Sequence, residues 1–404
     1  MIRLKTVALI ALIVAYALGP LATQIVTPVV PIVHDDLGVS MAMAQALISL
    51  AFVAIAVSTL IYGPLADRYG RRPVILVGTV LFCAGSLLAA VAPTAGWLLA
   101  GRAIQSIGSA AALSLTRTVV HDVYGRQQSA RVLAQLTTVM IFVPMLAPAI
   151  GGALIDHVGW RAVFGLCLAF GVVALSLLTL YLPESRPTQH QTPRLREVVA
   201  SYGALLADRD YRAPALHFSW IMAAVFATQA AIPYLMVEVL GGTATEYGVW
   251  FGVACVFYVA GNLFTARWGH RYAPRRLILA SSIGCMLAAA AGAIALPIAG
   301  MSAISLFVPT SALYFFAALG IAPVQAEAVA AQPGRAGAAS GLLTASQMVI
   351  GALTVQVIGF SHDGTARPLF VGLVACSVLA VAGVISFRRR PEDAGMTAST
   401  DAAA

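Results

Sequence analysis

The residues able to do chemistry are few and scattered. Asp67 stands inside Gly63-Pro64-Leu65-Ala66-Asp67-Arg68-Tyr69-Gly70-Arg71-Arg72-Pro73, a single carboxylate among three arginines. A tight turn uses glycine for unusual backbone angles and proline to open the next helix, so this stretch offers ion pairing at a helix junction, with Asp67 expected at a helix N-terminus. A plain basic loop would account for Arg68, Arg71 and Arg72 but not for Asp67 or the glycine spacing. Arg102, with Gln105 almost one turn on, is a cation in an otherwise apolar stretch. Such a charge is costly in lipid and functional by default, although an arginine near a helix end can also snorkel to the headgroups. Glu327 is an acid clear of loops and outer ends, where a carboxyl among apolar neighbours can take up and release a proton. Its place three residues before Ala330, where its span should end, equally suits a solvated end residue. The chain contains no HExxH, GxSxG or phosphate-loop pattern and no histidine cluster, which argues against an enzyme and implies neither metal nor cofactor. Cys83, Cys167, Cys255, Cys285 and Cys376 stand singly and read as small packing residues.

The elements that must carry these groups follow from composition. Of 404 residues, 60% are hydrophobic and 10% charged, where a soluble domain carries roughly 25% charged residues. Mean hydropathy is +0.89. The charges are clumped, leaving uncharged runs at 6–33, 37–66, 73–101, 132–155, 162–183, 247–266, 277–326, 336–361 and 368–387. Each can span a bilayer, which takes about 20 residues. The run 277–326 holds two spans broken near Leu296-Pro297-Ile298-Ala299-Gly300. A further span follows the turn at Pro93–Gly96 and continues through Arg102, and another covers 213–237, interrupted by His217. Twelve spans are expected. Lipid admits only helices or closed barrels, and runs of this length are helical, so the fold class is all-α membrane protein. The apolar run after Met1–Lys5 is too long for a signal peptide and reads as an uncleaved first helix.

The net charge of +8 points to topology rather than to nucleic acid. With the N-terminus inside, 21 of the 24 basic residues fall at cytoplasmic ends and loops, and Arg102, Arg161 and Arg367 fall toward the outer face. Both termini are then cytoplasmic, and Asp35 and Asp36 lie outside. The longest loop, 183–212, carries Pro183, Pro187, Pro193 and five arginines and splits the spans six and six. The organisation expected is a bundle over 1–182, a linker over 183–212, a second bundle over 213–387 and a disordered cytoplasmic tail over 388–404. An internal echo supports duplication: Ala66-Asp67-Arg68-Tyr69-Gly70-Arg71-Arg72 recurs as Thr265-Ala266-Arg267-Trp268-Gly269-His270-Arg271, offset by 199 residues. Duplicated bundles usually enclose a midplane site reached by alternating access.

The Asp67 stretch resembles the signature between helices 2 and 3 of the major facilitator superfamily, G-x-L-A-D-R-x-G-R-[RK]. The resemblance narrows to the bicyclomycin and chloramphenicol drug-exporter branch through Gly101-Arg102-Ala103-Ile104-Gln105, the helix end Arg117…His121-Asp122-Val123-Tyr124, Gly159-Trp160-Arg161-Ala162-Val163-Phe164 and Ala336-Gly337-Ala338-Ala339-Ser340-Gly341. It implies two pseudo-symmetric six-helix bundles. It also implies a conformational latch made of Gly63, Asp67, Arg68, Gly70, Arg71 and Arg72, with Asp67 engaging the region Gly337–Gly341. Pro144-Met145-Leu146-Ala147-Pro148-Ala149-Ile150-Gly151-Gly152 is similar to the antiporter motif G-P-x-x-G-G, with Ala147 where the family has glycine. Pro144, Pro148, Gly151 and Gly152 would form a bent, small-faced helix that packs closely, or simply a kinked one. Arg102, helped by Gln105, would serve ion coupling.

One departure stands out. The branch carries T-D-M-Y-L-P in helix 1, its aspartate serving as the ion site, and here the stretch is Thr23-Gln24-Ile25-Val26-Thr27-Pro28. Glutamine cannot titrate, which leaves Glu327 as the replacement acid. A cavity of Thr23, Gln24, Thr27, Gln229 and Tyr234 suits a neutral or anionic amphipathic molecule, because glutamine both donates and accepts hydrogen bonds. Each of these residues could instead bond helix to helix. The resemblance implies a monomeric exporter of drug-like molecules in a bacterial inner membrane, exchanging substrate for protons. A carrier of one polar metabolite, or a membrane sensor that kept the fold, are the alternatives, since a fold does not fix a substrate.

Overall fold

The computed structural model describes residues 6–185, 195–332 and 335–385. The tail expected over 388–404 lies outside the described residues. Within them every regular element is helical. The order is α1 (Thr6–Ile25), α2 (Val29–Asp36), α3 (Met41–Tyr69), α4 (Arg71–Ala90), α5 (Ala95–Val158), α6 (Trp160–Tyr181), α7 (Leu195–Ala207), α8 (Arg209–Tyr234), α9 (Ala244–Trp268), α10 (Pro274–Ala299), α11 (Ala303–Ala330), α12 (Ala336–Phe360) and α13 (Arg367–Ile385). Among the described residues eleven helical segments are long and apolar enough to cross a membrane, and the shorter apolar stretch Phe142–Val158 supplies the twelfth expected span.

The first expected span is broken. Thr27 and Pro28 interrupt the run 6–33 and leave α2 as a separate short helix. Proline has no N–H to continue the ladder, and the Thr27 hydroxyl donates to the Gln24 carbonyl at 2.8 Å. That bond satisfies one of the terminal acceptors that every helix end leaves open. The second departure lies at the helix end expected near His121–Tyr124, where α5 runs on for 64 residues. Between Asp122 and Phe142 there is no proline and a single glycine, Gly125, while glutamine, alanine, arginine and leucine favour helix. The element still makes two passes. Arg102 reaches the Ala22 carbonyl at 3.2 Å, and Gly151 sits against Ile25, one turn further along α1. A straight helix at ~1.5 Å per residue would hold Arg102 and Gly151 roughly 70 Å apart. The chain therefore doubles back along α1.

The described residues divide into two compact units. The first comprises those of Met1–Glu197 with Gln229–Gly252 and Ala352–Thr365, and the second those of Val198–Thr228, Val253–Gly351 and Ala366–Ala404. In the first, α4 and the first pass of α5 cross on glycines. A Cβ on Gly108 would strike the backbone of Phe82 and Gly78, and one on Gly85 would strike the backbone of Gln105 and Gly101. Helices in lipid gain nothing by burying apolar surface against each other, so close van der Waals approach and hydrogen bonds must hold them. In the second unit, buried His217 of α8 meets the Ala380 carbonyl at 3.1 Å and the Ser282 hydroxyl at 3.2 Å, joining α8, α13 and α10. Within the stretch read as a linker, α7 leads into α8, where buried Tyr211 donates to the Ala339 carbonyl at 2.9 Å.

Gly108→Val is expected to force α4 and α5 apart and destabilise the protein by about 1–3 kcal/mol, the usual cost of overpacking. Gly63→Ala, where nothing lies within 4 Å of the added carbon, is expected to leave stability unchanged or raised. Melting of the two purified variants in detergent decides it, and equal melting temperatures would refute the glycine crossing.

Candidate functional site

Arg102 organises the interior of the first unit. It is completely buried, as is Gln105. Its Nε donates to the Leu47 carbonyl and its Nη1 to the Ala22 carbonyl, each at 3.2 Å. Nη1 also donates to Gln105 Oε1 at 2.6 Å, and Gln105 Nε2 donates to Ser86 Oγ at 2.8 Å. The guanidinium thus ties α1, α3, α4 and α5 together through oxygens that carry no formal charge. Among the described residues it has no carboxylate partner, and its Nη2 has no hydrogen bond. An uncompensated charge with an open donor, deep between helices, is an arrangement able to receive an anionic or strongly accepting group.

Two residues beyond Ala22, Gln24 is nine-tenths buried and donates from Nε2 to Gln229 Oε1 at 3.0 Å. Gln24 Oε1 has no partner. Leaving a buried acceptor unmade costs about 1–3 kcal/mol, a cost that a ligand N–H or O–H would remove. Thr27 accepts a long bond of 3.4 Å from the buried Tyr247 hydroxyl. The other two expected cavity residues go elsewhere. Thr23 donates back to the Gly19 and Pro20 carbonyls of its own helix at 2.9 and 3.0 Å. Tyr234 packs edge-on between His34 and His362, with ring centroids 6.2 and 4.3 Å away. Glu327 lies in the last turn of α11, in the second unit, whereas Arg102 and Gln105 belong to the first.

The structure assigns partners to the proline-glycine stretch of α5. A Cβ on Gly151 would meet the Ile25 carbonyl, and one on Gly152 would meet the Ala244 carbonyl. Gly248 of α9 returns the contact against Ala149. Pro144 and Pro148 lie one turn apart just before these contacts, inside the helix.

The Asp67 stretch differs from its expected geometry. Asp67 sits in the last turn of α3, not at a helix N-terminus. The junction shrinks to one residue, Gly70 at φ +102°, a backbone conformation that only glycine adopts readily. Asp67 pairs with Arg71 four residues on, and Arg71 Nε also donates to Asp122 Oδ2 at 3.3 Å. Glu184 occupies the N-terminus of α4 instead. Its carboxylate accepts from the backbone N–H of Arg71 at 2.9 Å and of Arg72 at 3.2 Å, where the helix dipole favours negative charge. Arg72 donates to the Thr179 carbonyl at 2.8 Å, and Arg68 lies over the Tyr69 ring at 5.2 Å. Gly63, a turn earlier, faces open space. Sequence reasoning missed Glu184 because it lies 113 residues from Arg71 in the chain. Its acidity directly after the apolar run 162–183 was the available signal.

Comparison with known proteins bears on this arrangement. The family model for the Major Facilitator Superfamily matches residues 12–355. The chain belongs to the major facilitator superfamily. It is 31% identical over 310 residues to multidrug resistance protein D of Escherichia coli (strain K12), covering 77% of each chain. It is 28% identical over 378 residues to the uncharacterized MFS-type transporter YdgK of Bacillus subtilis (strain 168), covering 92% of each. To multidrug resistance protein MdtL of Klebsiella pneumoniae (strain 342) it is 28% identical, covering 87% of this chain and 88% of that protein. Two solved structures share the fold. The xylose transporter XylE of E. coli superposes with a TM-score of 0.73 at 14% identity, covering 96% of this chain and 98% of that one. A bacterial homologue of the human lysosomal transporter Spinster gives 0.72 at 17%, covering 94% and 95%. As a facilitator the chain is a multi-pass membrane transporter of small molecules, not an enzyme.

The Arg71 side chain is 7% exposed and serves two carboxylates. Arg71→Met should therefore lower stability by about 1–3 kcal/mol, since it leaves the partly buried carboxylates of Asp67 and Asp122 without their shared cation. Glu184→Gln removes only the helix-dipole contribution of about 0.3–1 kcal/mol. Thermal melting that ranks Glu184→Gln as the more damaging change would contradict the network.

Proposed function

We propose that this facilitator exports drug-like amphipathic small molecules from a bacterial cell by alternating access, exchanging them for protons across the inner membrane. The observation that carries the reading is the pairing of Gln24 with Gln229, with Gln24 Oε1 buried and open, on the same helix as the Ala22 carbonyl that Arg102 holds. A buried open acceptor, in a unit whose interior also holds an uncompensated guanidinium, favours a neutral or anionic substrate carrying an N–H or O–H group. A lipophilic cation would meet Arg102 and no compensating acid. The relatives named multidrug resistance proteins support export as the direction and drug-like molecules as the cargo.

In this reading the substrate breaks the Gln24–Gln229 bond and takes the amide groups for itself. Thr27 and Tyr247 border the same place. Gly151 and Gly152 let α5 shift against Ile25 and Ala244 without a side chain in the way. The Asp67–Arg71–Asp122 cluster acts as the latch at the α3–α4 junction, with Gly63, Arg68, Gly70 and Arg72 shaping it. Both termini are cytoplasmic, because the basic residues gather on that side. The protein works as a monomer and uses no nucleic acid, metal or cofactor.

Expression in a bacterium stripped of its own pumps should raise tolerance to several neutral or acidic antibiotics and leave tolerance to lipophilic cations unchanged. Gln24→Leu should weaken apparent affinity about tenfold, the loss of one hydrogen bond worth roughly 1.4 kcal/mol. Arg102→Met should abolish export with the protein still in the membrane. Unchanged tolerance across the panel, with uptake or accumulation of a metabolite instead, would overturn the drug-export reading.

A further inference from the structure

The last turn of α5 holds a carboxylate that is of no use to its own helix. Asp156 stands two residues before the end of α5 at Val158, where the helix dipole is negative and an acid is unfavourable. Its bonds go to another helix. Asp156 Oδ2 accepts from the Thr245 backbone N–H at 3.0 Å and from the Thr245 hydroxyl at 2.5 Å. Thr245 is the second residue of α9. A carboxylate from the end of one helix therefore caps the positive start of another, 89 residues away in the chain.

Helix α9 does not need that carboxylate in order to start. It opens with a capping box of its own: the Thr243 hydroxyl accepts from the Glu246 N–H at 3.1 Å, and the Glu246 carboxylate accepts from the Thr243 N–H at 3.0 Å. The Asp156 contact therefore serves the approach of the two helices. Ala149, Gly152 and Asp156, spaced by three and four, lie on one face of α5. A Cβ on Gly152 would come within 2.2 Å of the Ala244 carbonyl oxygen, and one on Gly248 within 2.3 Å of the Ala149 Cα. Residue numbers rise along α5 as they fall along α9, so the helices run antiparallel and the negative end of one meets the positive start of the other. The small residues permit close approach but supply no directional bond, and Asp156 supplies one. By contrast, Gln24 with Gln229 and Ser49 with Gln356, at 3.0 and 2.9 Å, are neutral pairs. In the chain, α5 precedes and α9 follows the stretch read as the linker between halves, so the crossing joins helices that alternating access must part.

We propose that Asp156 is the clasp of this crossing: a positioning residue whose charge holds the start of α9 on the end of α5 in one state of the transport cycle, and whose release from Thr245 lets the crossing open. The inference rests on transport by alternating access, and on the proposed topology for placing the crossing at the outer face. The grip is that of an ion on N–H and O–H donors at a helix start, so a neutral side chain holds less well even where it can accept a hydrogen bond. Asp156 is exposed and Thr245 half-buried. Water can then replace the contact as it breaks, which keeps the bias small enough to be reversed in every cycle.

Spin labels at Val158 and Val249, both exposed, in a chain whose five cysteines are replaced, report the opening of the crossing in liposomes. Wild type should show a dominant short distance. Asp156→Ala should raise the population at longer distance about tenfold, the effect of losing one charge-assisted hydrogen bond. Asp156→Asn, which keeps an acceptor without the charge, should fall between the two, and Asp156→Glu should restore the short distance. Thr245→Val removes the hydroxyl and keeps the N–H, so it should open the crossing less than Asp156→Ala; with Asp156→Asn it carries the test if the alanine variant does not fold. Melting in detergent should stay the same across the set, because α9 caps itself. An Asp156→Ala distribution identical to wild type, or a lowered melting temperature with unmoved distances, overturns the clasp. Antibiotic tolerance of the pump-stripped strain is measured for the same variants. Distances that shift as expected in a chain conferring no tolerance uphold the clasp and defeat the drug-export reading. Tolerance conferred by a chain whose distances ignore Asp156 defeats the clasp alone.

Discussion

The first unit is built around a charge that cannot leave. Once Arg102 is inside, its five N–H donors require acceptors, and no carboxylate among the described residues supplies one. The carbonyls of Ala22 and Leu47 and the amide of Gln105 take that role instead. Ala22 is available because α1 stops at Ile25, leaving its last carbonyls without intrahelical donors. The break at Thr27-Pro28 and the burial of Arg102 therefore depend on each other. A helix continued through 33 would hold the Ala22 oxygen in its own ladder, and the guanidinium would lose an anchor.

Close packing provides the second constraint. Arg102 can reach α1 and α3 while Gln105 reaches Ser86 only because α4 and α5 approach nearly backbone to backbone. Gly78, Gly85, Gly101 and Gly108 permit that approach, two on each helix at the same seven-residue spacing. The second pass of α5 repeats the device with Gly151 and Gly152 against Ile25 and Ala244. The charged junction at Asp67, Arg71 and Asp122 is held differently, by a small number of strong, directional contacts.

The chain's organisation was legible wherever physics acts locally. Charge-free runs marked the helices because lipid forbids unpaired backbone, and the Gly300 break between α10 and α11 fell within the expected turn. Legibility stopped where the deciding partner lies far along the chain. Gln229 pairs with Gln24 across 205 residues, and Glu184 caps Arg71 across 113. The misplacement of Asp67 has a local cause. Glycine can end one helix and admit the next at a single residue, so a stretch dense in turn-formers was read as a loop with a helix start inside it.

The amide pair at Gln24 and Gln229 also limits how a proton can act on this transporter. Two amides form and break their hydrogen bond without any change of charge, so a pH gradient has no purchase on that contact. A proton can bias an alternating-access cycle only where the two states differ in proton affinity. Such a difference needs an ionisable group whose surroundings change between the states. In the proposed reading the cargo is chosen by hydrogen bonding and by the buried cation Arg102, and the proton acts at a group apart from the amide pair.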